Sequence, residues 1–213
     1  MNASRIEDLI KRVGLLIARV ALGYLFFTQL WWKVPPSFGC PADFAFTTEV
    51  SGRLRTTSGL CDWIGRESVY AQQPRQFFVA DLRTVGGPNL ALDVSALARA
   101  NGAFLDGFVK PNISWFGYVV WAMEAFIFVS LVVGLLGRLG GLVALAQSAQ
   151  LMIGLSGTPG EWEWIYHLMV TLSLVLAAIP AGRWLGVDAW LRPRLQAAAD
   201  KGNRLGQAVL WLT

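Results

Sequence analysis

Three ionisable residues interrupt long apolar runs: Arg19 in VGLLIARVALGYLFFTQLWW, Glu124 in ISWFGYVVWAMEAFIFVSLVVGLL, and His167, the only histidine, in EWEWIYHLMV. In hydrocarbon such groups cost several kcal/mol unless paired or hydrated, so each is a candidate for function or for helix pairing. Gln29, Tyr118 and His167 lie within about five residues of one end of their runs, roughly 6 to 8 Å from the edge at helical rise. Trp31, Trp32, Trp115, Trp162 and Trp164 ring them. An imidazole beside a phenol, open to lipid and to water, offers a donor to each of two carbonyls and a proton exit, which is the chemistry a quinone headgroup requires. His167, Tyr118 and Glu124 are the candidates to handle protons, and Gln29, His167 and Trp164 the candidate quinone contacts. The competing reading makes His167 a hydrogen-bonded boundary residue, the tryptophans interface anchors and Glu124 a polar residue that joins helices.

The elements that must position these residues follow from composition. Hydrophobic residues make up 54% of the 213, charged residues 15%, and there are ten tryptophans. The mean hydropathy is +0.47, far from the roughly one-quarter charged balance of globular domains. Four runs, at residues 13–32, 113–136, 139–156 and 162–181, approach the ~20 apolar residues needed to span a bilayer. Only GRLG and GTPGE join the last three, so consecutive helices must be antiparallel neighbours. The expected fold is an all-α integral membrane four-helix bundle with a long outer subdomain between the first and second spans. Four segments result: 1–33, the amphipathic start and first span; 34–112, the outer subdomain; 113–182, spans two to four; and 183–213, an interfacial helical tail.

Lysine and arginine set the orientation. Arg5, Lys11 and Arg12 precede the first span, Arg138 lies between the second and third, and Arg183, Arg192, Arg194, Lys201 and Arg204 follow the fourth. Both termini are therefore expected in the cytoplasm. The net charge of +4 is topological, which leaves no case for nucleic acid. A cleaved signal is the rival reading of the first 40 residues and is not expected, because the first apolar run exceeds a signal's ~7 to 15 residues and WWKVPP separates it from Cys40. Ser4 with Glu7 fits a capping box, Asp188 is placed to cap AWLRPRL, and NRLGQAVLWLT alternates basic and apolar faces, as segments lying in a membrane surface do.

Cys40 and Cys61, the only cysteines, fall in the outer segment, where a disulfide is the expected state; a redox-active dithiol is the rival, although the spacing is not C-x-x-C. RQFFVADLRTV and LALDVSAL are apolar enough to pack, and residues 95–109 have the spacing of an amphipathic helix on the outer face. Two cysteines and one histidine do not make a typical zinc or haem site, and no phosphate-binding glycine loop is present, so no metal or nucleotide is predicted. At helical rise Arg19 lies about 10 Å and Glu124 about 19 Å from the cytoplasmic side, a difference two extended side chains could bridge. Tyr24, Gln150 and Thr171 share Glu124's depth, so one polar layer is expected there.

RVALGYLFFTQLWWKV, FVKPNISWFGYVVWAMEAFIFVSLVVGLLGRLGGLVAL and EWEWIYHLMV followed by AGRWLGVDAWL together resemble the DoxX/DoxD family of four-span membrane proteins. The resemblance covers about two thirds of the chain, including Gly182, Arg183, Leu185, Gly186 and Asp188 after the fourth span; residues 40 to 90 have no counterpart in it. It implies the small membrane subunit of thiosulfate:quinone oxidoreductase, in a bacterial or archaeal cytoplasmic membrane, with a quinone and a partner subunit. Arg19, Glu124, His167, Arg183 and Asp188 sit in the family-like segments, but the resemblance carries no catalytic role onto any of them. Two other functions compete: a non-catalytic subunit of a larger respiratory or photosynthetic membrane complex, and a small transporter.

Overall fold

The computed structural model describes residues 3–81, 87 and 89–213. The chain is mostly helical. In order come α1 (Ala3–Leu30), β1 (Thr48–Val50), β2 (Arg53–Arg55), α2 (Gly59–Tyr70), β3 (Gln76–Asp81), β4 (Asn89–Asp93), α3 (Ser95–Phe104), α4 (Ile113–Val133), α5 (Gly137–Leu155), α6 (Glu163–Ala178), α7 (Val187–Asp200) and α8 (Arg204–Leu212). Two helical runs among the described residues are long and apolar enough to cross a membrane, Ser4–Leu30 and Ser95–Val133; Glu163–Ala178 is a shorter apolar helix. α4 is apolar around its whole circumference, with Ser114, Glu124 and Ser130 its few polar interruptions, the character of a helix that faces no bulk water.

Two local expectations are corrected here. Ser4 already stands inside α1, and Glu7 pairs with Lys11 at 2.7 Å beside an Asp8–Arg12 pair at 2.6 Å, the i, i+4 pairing that supports an exposed helix. Residues 95–109 are not a separate helix: α3 continues through a π turn (Leu105–Val109) and a 3-10 turn (Lys110–Asn112) directly into α4. Pro111 lacks an N–H, and the changes in helical pitch accommodate the missing bond without breaking the run.

Two compact units divide the chain. The first comprises Met1–Trp31, Val120–Ser148 and His167–Thr213; the second comprises Trp32–Val119 and Ala149–Tyr166. The first packs Leu22, Phe26, Ile127, Leu131, Ala144 and Leu176 in its core. Gly141 explains part of its helix packing: a Cβ there would stand 2.6 Å from the Ala177 nitrogen, so α5 and α6 meet backbone to backbone. Close approach of this kind is how small residues join apolar helices.

The second unit holds two antiparallel hairpins, β1–β2 and β3–β4, which no pattern reading placed. Ser51 and Gly52 have φ of 53° and 72°, the paired positive values of a two-residue hairpin turn. The predicted packing segment RQFFVADLRTV enters β3 and then runs outside the described residues. Cys40 and Cys61 form the expected disulfide, with Cα atoms 5.3 Å apart. Beside it Phe38 is fully buried, its ring edge-on to Tyr118 at 5.0 Å. A Cβ at Gly117 would strike that ring, so glycine at 117 makes room for Phe38.

Candidate functional site

The first unit contains a collar of buried charge built on glycine. The Arg19 side chain, 2% exposed, donates to the carbonyl of Ala181 at 3.3 Å and to that of Leu185. Asp188 is fully buried and accepts from the backbone N–H of Leu136 and of Gly137, both at 2.8 Å. Its own N–H donates to the Gly134 carbonyl at 2.9 Å. Asp188 therefore caps the start of α5, whereas the sequence reading had it capping AWLRPRL; Gly186 occupies the N-cap of α7 instead. The carboxylate sits where α5 presents unbonded N–H groups and the positive end of its dipole. Glycine permits the approach: a Cβ at Gly186 would lie 2.8 Å from the Gly134 Cα, and Gly134 itself has φ of +72°.

The second unit buries the carboxyl of Glu67, on α2 and 3% exposed. Its Oε2 accepts from Asn101 Nδ2 at 2.9 Å and from Gln150 Nε2 at 2.6 Å. A Cβ on Gly154 would come within 2.6 Å of the carboxyl carbon, so the carboxyl is pressed against α5 backbone. Burial pushes its pKa up to about 7, against the pull of the Asn101 and Gln150 N–H groups and of the Lys33 and Arg75 cations. A carboxyl so placed holds or releases a proton near neutrality, the property a proton-transfer group needs.

Arg75, also buried, donates to the carbonyls of Tyr70 and Gly154, each at 3.3 Å, and to that of Ser156. Its backbone N–H donates to Ser95 Oγ at 2.8 Å. Burial lowers the Arg75 pKa, and Glu67 and Glu163 oppose that. The guanidinium closes the last turn of α5, where carbonyls lack helical partners. Nearby, the Tyr166 hydroxyl donates to Glu161 at 2.7 Å.

The sequence candidates are distributed as follows. Gln29 and His167 are half-buried and Glu124 is buried, all three in the first unit. Tyr118, 48% exposed, and Trp164, 71% exposed, belong to the second. The expected polar layer around Glu124 is corrected: Tyr24 and Thr171 are exposed, and Gln150 turns to Glu67 and to Asn101 Oδ1 at 3.4 Å. Arg19 directs Nη1 and Nη2 to carbonyl groups after α6. Among the described residues, no trio of His, Cys, Asp or Glu is grouped to hold a metal ion.

Glu67 and Arg75 were missed by pattern reading. In GLCDWIGRESVY the apolar positions Leu60 and Ile64 are followed at helical spacing by Glu67, which falls on the buried stripe. That spacing is the signal that could have found it. No protein-family model, curated protein or solved structure matches the chain.

Proposed function

We propose that the chain is a multi-pass protein of a bacterial or archaeal cytoplasmic membrane, its four apolar helices forming a bundle with cytoplasmic termini, and that it serves as the membrane subunit of a quinone-linked oxidoreductase of the thiosulfate:quinone type. The resemblance to the DoxX/DoxD family supplies the reaction class. The observation that carries the reading is Glu67, a buried carboxyl set between two neutral amide donors, whose pKa burial pushes up to about 7. Quinone reduction consumes two electrons and two protons, and two thiosulfates joining through a new sulfur–sulfur bond release the two electrons. Glu67 would hold a proton for that chemistry on its carboxyl group, while His167, Tyr118 and Glu124 remain the candidates for groups nearer the quinone.

Purification from the native membrane in mild detergent tests this, with mass spectrometry of copurifying proteins and of extracted quinone. The reading expects a small assembly with bound quinone and thiosulfate-dependent quinone reduction, slowed by Glu67→Gln. A second reading, a non-catalytic subunit of a larger membrane complex, is favoured by Trp31 and Trp162, which are 67% and 71% exposed and present large apolar surface to a protein neighbour. Recovery only as a stoichiometric passenger of a large complex, without quinone or thiosulfate activity, would replace the first reading with the second.

A further inference from the structure

An open groove of about 820 Å³ on the first unit is lined by Val133, Trp184, Leu185, Gly186, Val187, Ala189 and Trp190. Its volume lies within the ~300–1,000 Å³ of ordinary ligand clefts, yet none of its lining side chains is charged or hydrogen-bonding apart from the two indole N–H groups. Both tryptophans carry a cation. The Arg12 guanidinium lies 5.8 Å from the Trp184 ring centre and the Arg194 guanidinium 3.5 Å from that of Trp190. Arg12 also pairs with Asp8 at 2.6 Å, an exposed i, i+4 contact of the kind worth little in water, and its planar fork keeps further donors.

More positive charge surrounds this end of the unit. Burial holds the pKa of Arg183 below its ordinary value, and the neighbouring cations Arg192 and Arg138 lower it further, with Asp188 alone opposing. The Arg183 Nε donates to the Thr213 carbonyl at 2.9 Å, while Arg12 and Arg194 are the cations that lie over tryptophan rings of the groove itself. An occupant must therefore be apolar along its body and negatively charged at its head. Bilayer lipids of the anionic class have that construction, and a guanidinium recognises phosphate through paired N–H donors.

We propose that this groove binds one anionic phospholipid, an acyl chain lying against Val133, Leu185 and Val187 and the headgroup phosphate held by Arg194 and Arg12. The site fixes the tail segment to the leaflet that carries anionic lipid. This inference rests on the membrane location proposed above, not on the quinone chemistry.

The full-length protein, purified in detergent and delipidated, is mixed with phosphatidylglycerol or phosphatidylcholine, and retained lipid is counted by native mass spectrometry. Recovery of the starting material in the membrane fraction, released by detergent but not by salt or alkali, checks the location separately. The unaltered protein should retain one phosphatidylglycerol in preference to phosphatidylcholine. Arg194→Gln should weaken that retention about fivefold, the worth of one basic residue at an anionic surface, Ala189→Trp should abolish it by filling the groove, and Arg5→Gln on the exposed start of α1 should leave it unchanged. Equal retention of both lipids by the unaltered protein, or phosphatidylglycerol retention by Arg194→Gln equal to that of the unaltered protein, would overturn the proposal, and Arg194, on the surface of α7, can be changed without touching the core.

Discussion

The two ends of α5 are closed by charges of opposite sign, and the two units handle those charges differently. At the first residues of α5, in the first unit, Asp188 accepts two backbone N–H groups, and the neighbouring Arg19 donates to two backbone carbonyls. At the last turn, in the second unit, Arg75 also donates to backbone carbonyls, but beside it Glu67 accepts from the side-chain amides of Asn101 and Gln150. Backbone groups cannot change their charge or swing away, so the first arrangement is a fixed joint. Amide side chains can turn and present either a donor or an acceptor, so the second tolerates either protonation state of Glu67. Burial of charge serves structure at one end and leaves a titratable group at the other.

The largest effect expected from breaking this contrast is at Asp188. Asp188→Ala leaves two buried N–H groups at the start of α5 without acceptors and removes the anion that Arg19 senses. A loss of about 4 kcal/mol is expected, since each unsatisfied buried donor and the stranded cation add to the cost. Asp188→Asn keeps one oxygen acceptor and should lose about half as much. Denaturant unfolding in detergent micelles reads both, and a loss below about 1 kcal/mol for the alanine variant would show that the joint is not fixed in the sense argued.

The titratable end predicts a pH dependence instead. Because the folded-state pKa of Glu67 is raised from 4.5 to about 7, the folded chain binds this proton more tightly than the unfolded chain does. Its contribution to stability is complete below about pH 4.5 and disappears as the pH rises through 7, a change of about 3 kcal/mol over that window. Glu67→Gln, whose amide cannot ionise, should flatten the Glu67 part of the profile and be the more stable protein above pH 7. Unfolding midpoints collected between pH 4 and 8 decide it: parallel curves for the two proteins would mean that Glu67 does not titrate in this range.

Two further changes sharpen the picture of the second unit. Replacing Cys40 and Cys61 together by serine removes a cross-link spanning 21 residues, worth about 3 kcal/mol on the chain-entropy model, and proteolysis should show the loss concentrated in Trp32–Val119. Gly154→Ala drives a methyl group into the Glu67 carboxyl; the expected overpacking cost is about 2 kcal/mol. Combining it with Glu67→Ala should recover much of that cost in a double-mutant cycle, because the smaller side chain vacates the contested space.

The helices were legible because their apolar runs are long and continuous. The runs at 13–32, 113–136, 139–156 and 162–181 each contain most of one observed helix, and even weakly patterned α5 is found where expected. The disulfide was legible from two cysteines in the one segment between the first two apolar runs. What escaped depends on contacts remote in sequence. Asp188 reads locally as a cap for its own helix, yet it bonds residues 51 and 52 positions away. Gln150 reads by depth as a partner for Glu124 and instead crosses to Glu67, 83 positions away. The β1–β2 hairpin rests on three-residue strands, too short for an alternating pattern, and only its Ser51–Gly52 turn was there to be read. In the candidate site, His167, Tyr118 and Gln29 could be chosen by residue type and depth, but depth carries no information on which face of a helix a residue occupies.

The smallest expected effect on stability tests the largest functional claim. Tyr118→Phe keeps the ring that meets Phe38 edge-on at 5.0 Å and removes only a hydroxyl from a residue 48% exposed, so stability should change by less than about 0.5 kcal/mol. Thiosulfate-dependent quinone reduction by the purified assembly should nevertheless fall if the phenol supplies a proton at the quinone, and do so without shifting the pH at which Glu67 titrates. Glu67→Gln should do the reverse, altering the pH profile of turnover while leaving quinone affinity intact. If Tyr118→Phe leaves turnover unchanged while Glu67→Gln reshapes its pH profile, the proton enters through the titratable end alone. If neither variant moves turnover, both buried carboxyl and exposed phenol belong to structure, and the contrast between the two ends of α5 is one of stability only.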